Sequence, residues 1–271
     1  NTCIGCNQAC LDHTFGGNRQ VSCLVNPRAC RETLMNYDAT KEPKRLAVVG
    51  AGPAGLAYAV VAAQRGHTVD LFDSASEIGG QFNLAKRIPG KEEFFETLRY
   101  YRRMLELHGV MLHLNTRADA TMLRKRSFDE VIVATGIEPR TPAIDGIDHP
   151  KVVRYIDAIL GTKPIGTRVA VLGAGGIGFD VAELLSHAGT SASVDIDVFA
   201  RQWGIDFRNH PRGGVTGVQP EVAKSNRAIT LLQRKSDPVG KSLGRTTGWT
   251  HRLTLTRRGV RMVNGVEYLK I

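Results

Sequence analysis

Two stretches of this 271-residue chain repeat one pattern: a short apolar run, a glycine-rich turn and a helix-forming segment. The first is RLAVVGAGPAGLAYAVVAAQRG, and the second is TRVAVLGAGGIGFDVAELLSHAG. The apolar runs predict short buried strands, and the segments after the turns predict helices that end at Gly66 and Gly189. A strand that leads through glycines into a helix is a building unit of α/β folds. The repeat therefore predicts two such folds in one chain.

The first turn has the glycine spacing that a bound dinucleotide requires. Gly50 allows the tight turn, Gly52 lets the backbone approach a pyrophosphate, and Gly55 lets the helix pack closely on the strand. The N-terminus of that helix would stabilise the phosphate charge. Asp73 ends the next apolar run, HTVDLFD, and would accept hydrogen bonds from ribose hydroxyls. Strand, turn, helix and acid agree on a dinucleotide site.

The second turn repeats this spacing at Gly173, Gly175 and Gly178, and it predicts a second nucleotide site. Its glycines are followed by the same kind of apolar helix-forming segment as in the first turn. If the nucleotide bound here is a nicotinamide nucleotide, the choice between NADH and NADPH depends on how the next strand ends.

Two segments compete to be that strand. VDIDVFAR would place Arg201 at its end, whereas AITLLQRK would place Arg234 and Lys235 there if residues 190–228 are an insertion. The aspartates of VDIDVFAR suit a buried parallel strand poorly, which favours AITLLQRK. Both candidates end in a base and neither in an acid, so NADPH is expected in either case. Arg245 is a further candidate for contact with the phosphate.

The cysteines all lie within the first thirty residues, with the spacing C-x2-C-x3-C-x12-C for Cys3, Cys6, Cys10 and Cys23. A disulfide scaffold would not leave so long a cysteine-free remainder, so a reducing, cytoplasmic compartment is expected. Four thiolates on short loops can hold zinc or an iron–sulfur cluster, and the spacing does not decide between them. Two neighbouring dinucleotide folds favour a 4Fe–4S cluster. Cys30 is left over and is expected to be a small buried apolar side chain.

The composition argues against two classes of binding partner, nucleic acids and membranes. The net charge is +10, but the basic residues are scattered and lack a nucleic-acid-binding motif, so no nucleic acid is expected. Polyanionic nucleotides and coenzyme A fit this charge equally well. No apolar stretch approaches the length of a membrane span, so no membrane partner is expected either.

Further motifs resemble the two-dinucleotide flavoproteins of the glutathione-reductase-like superfamily. They are Gly-Gly-Gln at residues 79–81 and IVATG, which ends at Gly136. IVATG closes the run FDEVIVATG, which predicts a further buried strand. The resemblance implies that the first fold binds FAD and that the second binds the nicotinamide nucleotide. It also implies that Ala54 lies near the pyrophosphate, Gln81 near the flavin, and Ala118, in an HLNTRAD strand, near the adenine.

The whole chain resembles the iron–sulfur flavoprotein family that contains bacterial 2,4-dienoyl-CoA reductase and trimethylamine dehydrogenase. CIGCNQAC, CLVNP, LQRK and GRTTGW carry the resemblance. It implies an α/β chain with two nested, Rossmann-type dinucleotide-binding domains after a cysteine-rich iron–sulfur segment. The expected boundaries are 1–40 for the cluster segment, 41–150 for the FAD domain and 151–271 for the NADPH domain.

The same resemblance implies neighbouring parts that this sequence does not contain. They are an N-terminal TIM barrel with FMN and the dienoyl-CoA site, and a C-terminal return of the FAD fold. Electrons would then pass from NADPH to FAD, to the cluster and to FMN, for dienoyl-CoA reduction in fatty-acid β-oxidation. No catalytic residue is expected within this stretch. The alternatives are an amine dehydrogenase of the same family and a non-catalytic nucleotide-binding module with structural zinc.

Overall fold

The computed structural model describes residues 1–17, 19–209, 212, 214–215 and 217–271. Its strands are β1 (Arg45–Val49), β2 (Thr68–Phe72), β3 (Met111–His113), β4 (Glu130–Val133), β5 (Arg168–Leu172), β6 (Ala228–Leu232) and β7 (Arg261–Val263). Its helices are α1 (Leu11–Phe15), α2 (Pro53–Gln64), α3 (Phe82–Ala85), α4 (Phe94–Leu107), α5 (Ala120–Lys125), α6 (Tyr155–Leu160), α7 (Gly176–Ser186), α8 (Ile196–Trp203) and α9 (Gly248–Arg257). Within the described ranges, no helix is long and apolar enough to cross a membrane.

The chain divides into two compact units. The first unit consists of Asn1–Gly5, Gln20–Lys86 and Glu93–Arg140. The second unit consists of Cys6–Arg19, Arg87–Glu92 and Thr141–Ile271. Each unit carries one parallel sheet and one of the two glycine turns, so the α/β class with two Rossmann-type folds is confirmed.

The sheet of the first unit has the strand order β3-β2-β1-β4. Its centre is apolar because Val48 and Leu71, which pair in register, are both fully buried. Helix α2 begins with Pro53, which suits a first helical turn, and it packs Leu56 and Ala59 against these strands. Burying a side chain the size of Leu contributes about 1.5–3 kcal/mol, so this cluster fixes the glycine turn between β1 and α2.

The sheet of the second unit has the order β5-β6-β7. Leu231 of β6 is fully buried and packs with Phe179 and Ala182 of α7 and with Leu255 of α9. The geometry at the turn between β5 and α7 repeats that of the first unit, since Leu172 pairs with Leu232 as Val49 pairs with Phe72.

The competition between VDIDVFAR and AITLLQRK is decided by pairing. AITLL forms β6 and pairs in parallel with β5 along its whole length. Residues Ile196–Trp203 instead form α8, because the Asp195 carboxylate accepts hydrogen bonds from the backbone N–H groups of Asp197 and Val198. An aspartate that caps a helix in this way favours helix over strand.

Two sequence-based expectations were wrong in detail. HLNTRAD is not a strand: β3 ends at His113, and the chain turns at Asn115, whose φ is +52°. FDEVIVATG does form β4, but this strand lies at the sheet edge, and Val131 and Val133 are 45% and 74% exposed. Of the apolar residues in β4, Ile132 packs on the core cluster.

Candidate nucleotide-binding sites

The first glycine turn has a backbone that only glycine accommodates. Gly50 has φ +109°, and a Cβ there would lie 2.3 Å from the carbonyl oxygen of Ala134. A Cβ on Gly55 would lie 1.8 Å from the carbonyl oxygen of Gly50. These close approaches allow α2 to begin directly at the end of β1. The roles expected for both glycines in shaping the turn therefore match the geometry.

A second loop closes against this turn. The N–H of Gly79 donates to the carbonyl of Ala51 at 2.8 Å, and a Cβ added to Gly80 would lie 3.0 Å from Cα of Gly52. Gly52 is the N-cap of α2, and Ala54 lies exposed in its first turn. The helix N-terminus thus presents small residues and backbone N–H groups, which is the chemistry that a pyrophosphate requires.

Asp73 follows β2 and lies beside the same turn. Its Oδ2 accepts the N–H of Ala51 at 2.7 Å, and its Oδ1 accepts the N–H of Ala75 at 2.8 Å. The carboxylate therefore orders the turn, and its contact with a ribose stays a prediction. The carbonyl of Asp73 accepts the N–H of Thr116 at 2.8 Å, and half-buried Ala118 comes two residues later.

Gln81 lies next to this arrangement in sequence and at the start of α3. It is the N-cap residue of that helix, and its side chain is exposed. Its carbonyl accepts the N–H of Ala85 at 3.1 Å, so the backbone at this position is fixed by the first turn of α3. The first unit thus brings the turn, Asp73 and the loop before Gln81 together. The contacts of Gln81 and Ala118 with FAD stay predictions.

The second turn repeats the first. Gly173 has φ +104° and its N–H donates to the carbonyl of Leu232 at 3.0 Å. A Cβ on Gly178 would lie 1.9 Å from the carbonyl oxygen of Gly173. Gly175 is the N-cap of α7, and a Cβ there would meet no described atom within 4 Å. This turn therefore leaves open space where a pyrophosphate is expected, and the residues fit a dinucleotide.

The residue that occupies the position of Asp73 in the second unit is Gln233, the first residue after β6. Its side-chain amide donates to the carbonyls of Lys235 and Asp237 at 3.2 and 2.8 Å. Its backbone N–H donates to the carbonyl of Val263 at 2.8 Å. No carboxylate stands at this position to repel a ribose phosphate.

Arg234 and Lys235 follow, and both side chains are exposed. The loop that carries them is held from one side by the N–H of Gly265, which donates to the carbonyl of Lys235 at 2.9 Å. The guanidinium of Arg234 lies 6.0 Å from the ring centre of Tyr268, and the Tyr268 hydroxyl donates to the carbonyl of Leu232 at 3.0 Å. Burial raises the pKa of Tyr268. Sequence reasoning missed Tyr268, because no motif surrounds it.

The other two arginines that were considered lie elsewhere. Arg201 belongs to α8 and follows no strand. The Arg245 guanidinium donates to the carbonyl of Phe15 at 2.6 Å, so it is engaged with the N-terminal segment. Neither observation supports a role in phosphate recognition.

No disulfide bond joins the cysteines in the part of the chain that the structure describes. Cys6, Cys10 and Cys23 are half-buried, and Cys3 and Cys30 are exposed, so the expected burial of Cys30 was wrong. The Sγ of Cys3 accepts the N–H of Gly5 at 3.4 Å, as a metal-bound thiolate could. Among the residues that the structure describes, however, no group of three or more His, Cys, Asp or Glu side chains is placed to hold a metal ion. Reduced thiols are the side chains that a metal site of this kind requires, and the assembly of the four-cysteine site stays a prediction.

Two glycine turns, each at the carboxyl end of a parallel sheet, define a protein with two dinucleotide-binding folds. The family model of the pyridine nucleotide-disulphide oxidoreductases matches residues 44–271, and the chain belongs to this family. Membership implies binding of FAD and of a pyridine nucleotide.

Some relatives also match the residues before the start of the family model. A metal reductase of Desulforamulus reducens is 32% identical over 99% of this chain and 39% of its own length. An N,N-dimethylglycine/sarcosine dehydrogenase of Chromohalobacter salexigens is 33% identical over 88% of this chain and 36% of its own length. The solved structure of a 2-naphthoyl-CoA reductase complex covers 100% of this chain with TM-score 0.80 and 26% identity. The chain spans 35% of that protein, so it corresponds to about a third of such relatives.

Proposed function

We propose that this chain is the electron-input part of an NADPH-dependent reductase that acts on 2,4-dienoyl-CoA thioesters. The second unit would hold NADPH on the turn at Gly173, and the first unit would hold FAD on the turn at Gly50. FAD, when bound, supplies the conversion between the two electrons of a hydride and single electrons. The chain's own residues bind and orient the two nucleotides.

The observation that carries the proposal is the loop after β6. Where the first unit has the carboxylate of Asp73, the second has Gln233, an uncharged amide, followed by Arg234 and Lys235. An acid at this position favours NADH, and cations favour the additional phosphate of NADPH. Because hydrogen bonds hold the backbone of this loop, only the two exposed cationic side chains need ordering to meet a phosphate.

The substrate class rests on the CoA thioester reductase among the structural relatives. That protein was solved with 2-naphthoyl-CoA, an unsaturated thioester, and the match covers 100% of the present chain. The net charge of +10 also suits a polyanionic coenzyme. We propose that the remainder of the intact protein, with FMN, binds the dienoyl-CoA.

We also propose a 4Fe–4S cluster on Cys3, Cys6, Cys10 and Cys23, which would pass single electrons. The intact protein should contain iron and acid-labile sulfide, and Cys10→Ala should lose both. Cys30→Ala is the matched control and should retain them. Zinc in place of iron would contradict the cluster and would favour a nucleotide-binding module with a structural metal.

The cofactor assignment is tested by Arg234→Gln in the intact protein. We expect the affinity for NADPH to fall about tenfold to a hundredfold, since a hydrogen bond to a charged group is lost, while the affinity for NADH stays within about twofold. Lys163→Gln removes an exposed cation of the same unit and should change neither. Equal losses for both nucleotides, or no loss, would refute the phosphate site.

An amine dehydrogenase is the second candidate, because the dimethylglycine/sarcosine dehydrogenase is among the relatives. The two proposals differ in the direction of electron flow. NADPH should reduce the flavin of a dienoyl-CoA reductase, and dienoyl-CoA should reoxidise it. Reduction of the flavin by an alkylated amine, with no response to dienoyl-CoA, would favour the dehydrogenase.

A further inference from the structure

The second unit includes the N-terminal segment from Cys6 as well as the nucleotide-binding fold, and one carboxylate joins the two parts. Asp12 lies in α1, two residues after Cys10. Its Oδ1 accepts both the backbone N–H and the side-chain hydroxyl of Thr246, each at 2.8 Å. Both side chains are half-buried. Hydrogen bonds to an ionised carboxylate are stronger than bonds between neutral groups.

The residues beside Thr246 complete this contact. A Cβ on Gly244 would lie 2.6 Å from Oδ2 of Asp12, so glycine at this position allows the carboxylate to approach. Arg245 donates to the carbonyl of Phe15 at 2.6 Å, at the end of α1, where carbonyls lack a partner within the helix. Residues 244–246 therefore bind α1 at both its beginning and its end.

The contact is continuous with the core of the unit on one side. The N–H of Gly248, the first residue of α9, donates to the carbonyl of Gly244 at 2.7 Å. Leu255 of the same helix is fully buried in the core cluster. The loop that holds Asp12 is thus fixed to a rigid part of the nucleotide-binding fold.

On the other side the contact reaches the cysteines. The N–H of Asp12 donates to the carbonyl of Asn7 at 2.8 Å, and Asn7 follows Cys6. The carbonyl of Cys10 accepts both the N–H and the hydroxyl of Thr14 at 3.0 Å. The backbone between Cys6 and Thr14 is therefore a hydrogen-bonded unit that Asp12 attaches to the fold.

We propose that Asp12 is a positioning residue that fixes the conformation of the Cys6–Cys10 segment on the nucleotide-binding unit through Thr246. The inference rests on the proposed four-cysteine site for its consequence, because the geometry of two of the four sulfurs depends on this anchor. It also accounts for the GRTTG stretch, which nucleotide binding leaves unexplained. The motif serves the cysteine segment rather than the phosphate of NADPH.

The test uses the intact protein with Asp12→Ala, Asp12→Asn and Thr246→Val. Asp157→Ala is the matched control, because Asp157 also accepts a threonine hydroxyl, that of Thr162, at 2.7 Å within the same unit. Hydrogen–deuterium exchange reports on amides 12–16, and redox titration followed by electron paramagnetic resonance reports the midpoint potential of the cluster.

For Asp12→Ala we expect exchange of these amides to rise about tenfold or more and the midpoint potential to shift, with NADPH affinity unchanged. Asp12→Asn should restore much of the wild-type behaviour, since its remaining oxygen can still accept from Thr246. Thr246→Val, which keeps the N–H, should show a smaller change of the same kind, and it keeps the proposal testable if Asp12→Ala does not fold. Asp157→Ala should change neither readout.

Unchanged exchange in Asp12→Ala would overturn the anchor, and faster exchange with an unchanged potential would overturn its positioning role. If the wild-type protein holds no iron, the four-cysteine proposal fails by itself. The rate of alkylation of Cys10 relative to Cys30 then replaces the potential, and an equal rate in wild type and Asp12→Ala would overturn the inference.

Discussion

Replacing Asp73 by asparagine tests how far this carboxylate stabilises the glycine turn and supports FAD binding. Both of its oxygens accept a backbone N–H, from Ala51 and Ala75, at 2.7 and 2.8 Å. An asparagine can accept only one of these bonds with its oxygen, and its NH2 group then faces the other N–H donor. The substitution therefore removes one hydrogen bond to a charged group and places the asparagine NH2 against a backbone N–H, so that two donors face each other.

The size of the effect follows from these contacts. A hydrogen bond to a charged group contributes about 1.5–3 kcal/mol, so the free energy of unfolding should fall by about that amount. The same contact orders the glycine turn, and about 1.4 kcal/mol corresponds to a factor of ten in a binding constant. We therefore expect FAD to bind about tenfold to a hundredfold more weakly, before any lost contact with the ribose is counted.

The assay is titration of the FAD-free intact protein with FAD, followed by quenching of flavin fluorescence, together with urea unfolding. Asp129→Asn is the matched control, because the carboxylate of Asp129 accepts the N–H of Arg45 at 2.7 Å at the opposite end of β1. Its asparagine can still accept that single bond, so stability and FAD affinity should both stay near wild type. An unchanged FAD affinity in Asp73→Asn would refute the assignment of this turn to FAD.

Two further predictions concern stability. Leu231→Ala should lower the free energy of unfolding, measured by urea titration, by about 2–5 kcal/mol, because Leu231 is fully buried. Leu172→Ala should have a much smaller effect, because Leu172 is 41% exposed. Equal losses in the two variants would contradict the packing of β6. Burial and the neighbouring Arg258 lower the pKa of His187 below its ordinary 6.5. As the pH falls below 6.5, His187 therefore takes up a proton in the unfolded state before it does so in the native state, and the free energy of unfolding decreases. His187→Gln should therefore reduce the loss of stability on acidification, and an unchanged pH profile would argue against this cause.

Local chemistry made the two nucleotide-binding turns predictable. Gly50 and Gly173 must adopt positive φ, and Gly55 must approach a carbonyl closely; both requirements depend on residues within one turn. Asp73 was predictable for a similar reason, since it lies directly after an apolar run. Its contact with ribose stays a prediction, and the sequence did not show that its oxygens accept the backbone N–H groups of Ala51 and Ala75.

Strand pairing between distant parts of the chain could not be predicted from local sequence patterns. The apolar run before Arg201 and the one before Arg234 both look like strands, and only pairing with β5 and the capping of α8 by Asp195 separate them. The exposure of Val133 was missed for the same reason, since an apolar run does not reveal whether its strand lies in the middle or at the edge of a sheet.

The sequence by itself determined that the chain contains two strand–turn–helix units of the dinucleotide-binding kind and a cysteine-rich N-terminal segment, because each depends on the spacing of neighbouring residues. Only the tertiary structure decided that Gln233, Arg234 and Lys235 follow the strand beside β5, and that Asp12 meets Thr246 across more than two hundred residues of sequence. Contacts of that separation form when cores pack, and no periodicity in the sequence encodes which polar side chains the packed cores bring together.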